Sequence, residues 1–300
     1  MEKRWLLFPL FFLLFGVRLI ACDVCGANIQ GNGVGMLTGF RNNFIGVAWQ
    51  YRHFHLATEH GTTGQDYFHA GNLNIRYHLN DRFKLLLNQG FQYNLREIEQ
   101  SELIAFSGWT DSRVVLSYTI LNDKKLSPQT KLFFELGGGV HIPIGKYQAN
   151  LYDLELPASF NPGNGSWGLL LQPTLVLSRK KSGMLFSGQY ASLGASRSGY
   201  QFGNQLSLQA SIYQQVQLSN SLTLIPHVGF QLEETGEEHF ANGTRAVGTG
   251  GKGTFFQAGL NSKFSNWMLG LAYAHPLTQN YAAGEVRATD RFSVQIAYLF

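Results

Sequence analysis

Cys22 and Cys25 are the only two cysteines of the chain, set in Cys22-Asp23-Val24-Cys25-Gly26. A C-x-x-C pair outside the cytoplasm supports a disulfide, a redox couple or half of a soft-metal site. There is no second C-x-x-C, so one chain cannot build a closed four-cysteine zinc site. Cys22 also follows Leu19-Ile20-Ala21, which resembles a bacterial lipobox whose cysteine is acylated and becomes the first mature residue. Leu19 fits an ordinary small-residue cleavage site poorly. Acylation would consume the Cys22 sulfur and remove the disulfide, redox and metal alternatives together. Cys22 is the candidate lipidation site, and no metal is assigned to it.

Histidine and serine are the other reactive types. His53 and His55 share a strand face, and His60 and His69 lie close across the first hairpin. Grouped imidazoles could hold a transition metal. The facing pattern below turns His53, His55 and His69 outward at the rim, where lipid head groups are the expected neighbours. Ser196-Arg197-Ser198 has no recognisable histidine partner, and G-x-S-x-G, H-E-x-x-H and P-loop patterns are absent. The expectation is a non-enzyme with no cofactor; a membrane-embedded lipid hydrolase is the remotest alternative.

The remaining chemistry is charge on strand faces. Arg52, Arg76, His78, Lys84, Asp111, Arg113, Lys131, Glu135, His141, His227 and Lys263 fall on the polar side of alternating segments. Six are Lys or Arg and two are acids. Lining a pore, they would modestly favour anionic or polar solutes. The alternative is that they pair with one another and fill a narrow bore.

What must position them is a set of strands. In the last eleven residues, Phe292, Val294, Ile296, Tyr298 and Phe300 alternate with Ser293, Gln295 and Ala297. Period two marks a strand with one apolar side. A terminal Phe resembles the closing strand of bacterial outer-membrane barrels. About twelve such segments run from Phe44 onward, each long enough to cross an apolar band of roughly 25 Å with about 9–11 tilted residues. Their connections alternate. Residues 57–67, 96–106, 143–166, 233–252 and 277–289 are long, whereas 80–81, 179–182, 219–221 and 265–266 are tight. Short turns on one side and long loops on the other describe an outer-membrane barrel, not a Greek-key sandwich. An even strand number leaves both barrel ends on the short-turn, periplasmic side. Tyr51, Trp167, Trp267 and Phe300 sit near strand ends, as interfacial aromatics do.

Composition agrees. Charged residues make up 14% of the 300 residues, against roughly 25% in soluble domains, while aromatics reach 14% and glycines number 34. Mean hydropathy is −0.09, and past the N-terminus no apolar run is long enough for a spanning helix. Glu2-Lys3-Arg4 followed by the apolar run to Val17 reads as an export signal. Without Lys3, Arg4, Arg18 and Glu2 the formal charge falls from +4 to +2, so the basic balance does not argue for nucleic acid. The expected organisation is an export signal over 1–21, a Gly-rich periplasmic lead-in over 22–39 and an all-β, transmembrane, antiparallel up-and-down barrel over 40–300.

Leu136-Gly137-Gly138-Gly139-Val140-His141-Ile142-Pro143-Ile144-Gly145-Lys146-Tyr147 is a Gly-rich strand running into Pro-x-Gly and a long loop. It resembles the pattern in outer-membrane transporters grouped with the meta-pathway of phenol degradation. The resemblance implies a barrel passing small molecules, among them aromatic or apolar ones. Independently, Pro143 belongs at a strand end, because proline cannot donate to a ladder. The reading is a monomeric bacterial outer-membrane channel or transporter, partnered by membrane lipid and a small solute. A non-transporting barrel that binds or scaffolds through its long loops is the alternative.

Overall fold

The computed structural model describes residues 42–57, 63–98, 103–151 and 156–300. The export signal, Cys22, Cys25 and His60 lie outside them. Fifteen strand segments, β1 to β15, make up one antiparallel sheet: β1 (Phe44–Ala57), β2 (Thr63–His78), β3 (Phe83–Ile98), β4 (Ile104–Trp109), β5 (Ser112–Lys125), β6 (Thr130–Ile142), β7 (Gly168–Arg179), β8 (Ser182–Leu193), β9 (Gln205–Gln214), β10 (Val216–Gln217), β11 (Leu222–Thr235), β12 (Gly251–Phe264), β13 (Trp267–Tyr281), β14 (Val286–Ala288) and β15 (Arg291–Leu299). Three pairs of segments are single staves with a local break: β4 with β5, β9 with β10, and β14 with β15. The result is a closed barrel of twelve staves. Closure is made by β1 and β15, in register from Phe44 opposite Leu299 to Tyr51 opposite Phe292. No edge is left for the bilayer to strand without hydrogen bonds.

Alternation decides which side meets lipid. Ile45, Val47 and Trp49 of β1, Leu73 and Tyr77 of β2, and Leu169 and Leu171 of β7 are exposed on the outside. Their neighbours Arg52, Asn72, Arg76 and Leu170 are buried inside. A one-residue slip would exchange the two sets, so lipid on one side and polar groups on the other fix the register.

The β4–β5 stave breaks opposite β3. Phe91 pairs with Trp109, but Asn88 pairs with Arg113, so one extra residue is accommodated at 110–112. Thr110 donates its backbone N–H to Gly90 O at 2.8 Å, and its hydroxyl accepts from Gly90 N at 3.1 Å. The bulge turns Asp111 into the barrel, where it is 3% exposed.

Short turns lie at one end. At the other end several staves run further than sequence periodicity suggests. β11 continues to Thr235, β12 begins at Gly251 and β13 reaches Tyr281, inside segments expected to be loops. Beyond the bilayer the outer face need not be apolar, so pairing persists after the period-two signal has gone.

Candidate functional site: the barrel interior

Near the short-turn end, Glu135 of β6 receives Arg76 of β2 and Lys84 of β3. Arg76 Nη2 donates to both carboxylate oxygens at 2.8 Å, and Lys84 Nζ to Oε2 at 2.5 Å. All three are 4% exposed. Lys84 also lies 4.7 Å from the centre of the Phe133 ring, whose cluster of Val176, Leu185, Tyr213 and Ile225 lines the wall beside it. His78 closes the rim, its backbone and imidazole reaching Asn43 Oδ1 at 2.7 and 2.9 Å. Lys131 is half-exposed at the mouth, 3.6 Å from Asp123. Lys263 stands opposite Thr223 and Met268, near the same end.

Halfway along, His227 faces inward beside Ile225 O (3.4 Å), and Gln209, Gln257 and Gln231 form a ladder at 2.9 and 2.8 Å. Toward the long-loop end, Glu233 of β11 receives two nitrogens of Arg291 at 2.8 and 2.7 Å and the Tyr281 hydroxyl. The Arg291 guanidinium stacks 3.8 Å from the Phe255 ring centre. Asp66 and Arg96 form a second bidentate pair at 2.8 and 2.7 Å. Arg52 is buried on β1, bonded to Gln50 Oε1 at 2.9 Å. Arg113 is buried on β5, in register with Asn88 and His141.

Of the segment between β6 and β7, the described residues 143–151 and 156–167 fold into the bore. Leu151 and Leu156 are 1% exposed and Phe160 is 0% exposed. They join Phe54, Phe68, Phe106, Phe255 and Tyr281 in one cluster. Those partners come from β1, β2, β4, β12 and β13, so the segment spans from its own wall to the opposite one. Phe160 lies 5.0 Å from Phe68, takes the Asn94 amide on its carbonyl at 2.8 Å, and sits under Arg96 at 4.9 Å.

Asp111 anchors this segment. Its Oδ1 accepts from Gly145 N at 2.8 Å; its Oδ2 accepts from Asn164 N at 2.5 Å and contacts His141 Nε2 at 2.8 Å. Both ends of the inward loop therefore hang on one carboxylate. Two glycines make the approach possible. A Cβ at Gly163 would stand 2.6 Å from Asp111 Oδ1, and one at Gly145 2.6 Å from the Asp111 backbone nitrogen.

With a closed wall, an apolar outside and a charged inside, the decision is made by the bilayer's demand that every strand edge be paired. The chain is a bacterial outer-membrane β-barrel. No family model matches its sequence, and no curated protein does. Solved structures do. The COG4313 outer membrane channel from Pseudomonas putida F1 is 16% identical with a TM-score of 0.61, covering 86% of this chain and 96% of that one. The translocator domain of autotransporter NalP from Neisseria meningitidis is 11% identical at a TM-score of 0.43, covering 86% and 88%. The KdgM porin is 13% identical at 0.38, covering 84% and 99%. At these identities the first likeness speaks for the fold.

In this outer-membrane barrel the sequence-named residues do not gather at one point. They form two groups, Arg76–Lys84–Glu135 and Asp111–His141, with Arg52, Arg113 and His227 elsewhere inside. Sequence reasoning missed Asp66, Arg96, Glu233 and Arg291. Arg291 carried a signal, since it shares parity with the polar Ser293 and Gln295. The other three sit where the outer face has lost its apolar rhythm. The histidines His53, His55 and His69 are outside: His53 stacks 4.7 Å from Tyr67 and meets His55 edge-on at 4.6 Å, while His69 lies 5.2 Å from Tyr51. Ser196 and Ser198 bond each other at 2.9 Å and Tyr147 Oη at 3.1 and 2.8 Å, a contact between loops.

Proposed function

We propose that this barrel is a channel for small polar solutes with a modest preference for anions, constricted by the inward residues around Leu151, Leu156 and Phe160. The observation that carries the reading is the charge of the buried wall. On the described staves and the bulge at Asp111, Arg52, Arg76, Lys84, Arg96, Arg113 and Arg291 are opposed by Asp66, Asp111, Glu135 and Glu233, an excess of two cations with histidines neutral; Glu238, also buried, belongs to the β11–β12 loop. Fixed charge of one sign around a narrow path favours the opposite ion. A barrel serving as a membrane anchor alone has no need of charged groups from so many staves, since burying each requires a partner.

The test is reconstitution of the purified chain in planar bilayers under a salt gradient. The account predicts a measurable current and a reversal potential on the anion-selective side. Absence of current above protein-free bilayers, together with no swelling of liposomes in small sugars or amino acids, would overturn it.

A second reading has its own support. The long loops interlock: Tyr147 meets Phe202 at 6.2 Å, Tyr200 meets Phe240 at 5.8 Å, and Gln201 and His239 exchange backbone hydrogen bonds at 2.9 Å. A preordered outer platform suits binding, because the ordering cost is met before a partner arrives. Capture of an extracellular ligand by a non-conducting barrel would favour it.

A further inference from the structure

The short-turn rim, periplasmic on the channel reading proposed above, is electrically lopsided. Lys124, Lys125 and Lys131 flank the β5–β6 turn, and Arg179, Lys180 and Lys181 form the β7–β8 turn. All six are exposed. Asp123 is the one acid in these stretches, so the sector carries a formal +5, more than the +4 of the entire chain. The other short turns hold only Asp81 and Arg82, which cancel.

The fold presses these cations together. The backbone N–H of Lys180 donates to Gln129 O at 3.2 Å, tying one turn to the other. Lys125 stands directly opposite Lys131 on the inward parity of the β5–β6 ladder, behind the outward cations, and like charges in such a pair destabilise it. Lys131 has Asp123 at 3.6 Å, one carboxylate for the whole group. An external anion would relieve the repulsion.

Position identifies the anion. Lys124 pairs with Leu132 and Arg179 with Thr130, positions on the lipid-facing parity of β6, the parity of exposed Leu136 and Val140. On β7, Arg179 continues the outward row of Leu169 and Leu171. The charges thus begin where the apolar belt ends, at head-group depth, with long side chains able to reach along the interface. We propose that the outward four, Lys124, Arg179, Lys180 and Lys181, bind anionic phospholipid of the periplasmic leaflet through its phosphates, orienting and seating the barrel.

The test uses the full chain in detergent, titrated with phosphatidylglycerol or phosphatidylethanolamine and read by native mass spectrometry. The wild type should retain phosphatidylglycerol about tenfold better, and the preference should fall as salt is raised. Replacing the outward group together (Lys124→Gln, Arg179→Gln, Lys180→Gln, Lys181→Gln) should abolish the preference. Arg82→Gln with Lys263→Gln, elsewhere on the same end, should keep it. Heat-modifiable electrophoretic mobility reports folding; if the fourfold variant misfolds, Lys180→Glu with Lys181→Glu tests the same point. Equal retention of the two lipids by wild type, or an undiminished preference in the folded variant, overturns the proposal. Equal retention combined with capture of soluble polyglutamate assigns the surface to an acidic periplasmic protein instead.

Discussion

Asp111 Oδ2 accepts a hydrogen bond from the backbone nitrogen of Asn164 at 2.5 Å, although the two residues are 53 positions apart. The same carboxylate holds Gly145 N at 2.8 Å, so one side chain gathers the start and the end of the loop that crosses the bore. Asp111→Ala removes acceptors from two backbone donors and from His141. Each buried group left unsatisfied costs about 1–3 kcal/mol. The expected result is a folded barrel whose loop is cut by chymotrypsin under conditions that spare the wild type. An unchanged digestion pattern would mean that the apolar cluster around Phe160 suffices to hold the loop.

Gly163 tests the same attachment from the other side. Gly163→Ala places a methyl 2.6 Å from Asp111 Oδ1, and the backbone must move. Gly138→Ala, where nothing lies within 4 Å, is the matched control. The first should lower the thermal unfolding midpoint and expose the loop, and the second should do neither. Equal behaviour of the two would contradict the close approach.

Glu135 neutralises two cations at once. Glu135→Gln leaves Arg76 and Lys84 buried against a neutral amide, and breaking a buried pair in this way costs about 3–5 kcal/mol. Denaturant unfolding should show the loss. Lys84→Met added to Glu135→Gln should return part of it, because one stranded charge is gone and the sites couple. Strict additivity of the two changes would argue against the triad.

The outer face makes a different demand. Leu171 is 48% exposed on β7 and in line with Leu169. Leu171→Arg should cost about 2–4 kcal/mol in a bilayer, since a charge near mid-depth faces hydrocarbon. Gln257→Arg, on the inner face, should cost less, about 1 kcal/mol for each ladder bond lost to Gln209 and Gln231, and shift ion selectivity. Folding titrations in lipid vesicles compare them. A tolerated Leu171→Arg would place that face in water.

Most of the wall was legible in the sequence. Ile45, Val47 and Trp49 alternate because lipid lies on one side and Ala48 and Gln50 on the other, and this physics acts on every stave within the bilayer. Twelve staves and both kinds of connection follow from it. Past the bilayer the constraint lapses: Gln65, Tyr67 and His69 face outward on β2 without an apolar rhythm, so Asp66 between them gave no sign of being a buried partner of Arg96. The inward loop was hidden for another reason. Leu151, Leu156 and Phe160 have neither period two nor period 3.6, and their burial depends on the opposite wall, which no local pattern encodes. Asp111 was legible as an inward acid; its role as an anchor depends on a bulge at Thr110 and on backbone donors, which any residue type supplies.

The central claim is a charged conduit narrowed by one loop. It is tested most directly by single-channel current from the wild type and from a variant in which residues 148–160 are replaced by a short Gly-Ser bridge. The account predicts a small, anion-selective wild-type current and a severalfold larger one in the variant, with selectivity kept because the wall charges remain. Two silent barrels, both folded by heat-modifiable mobility, would contradict it.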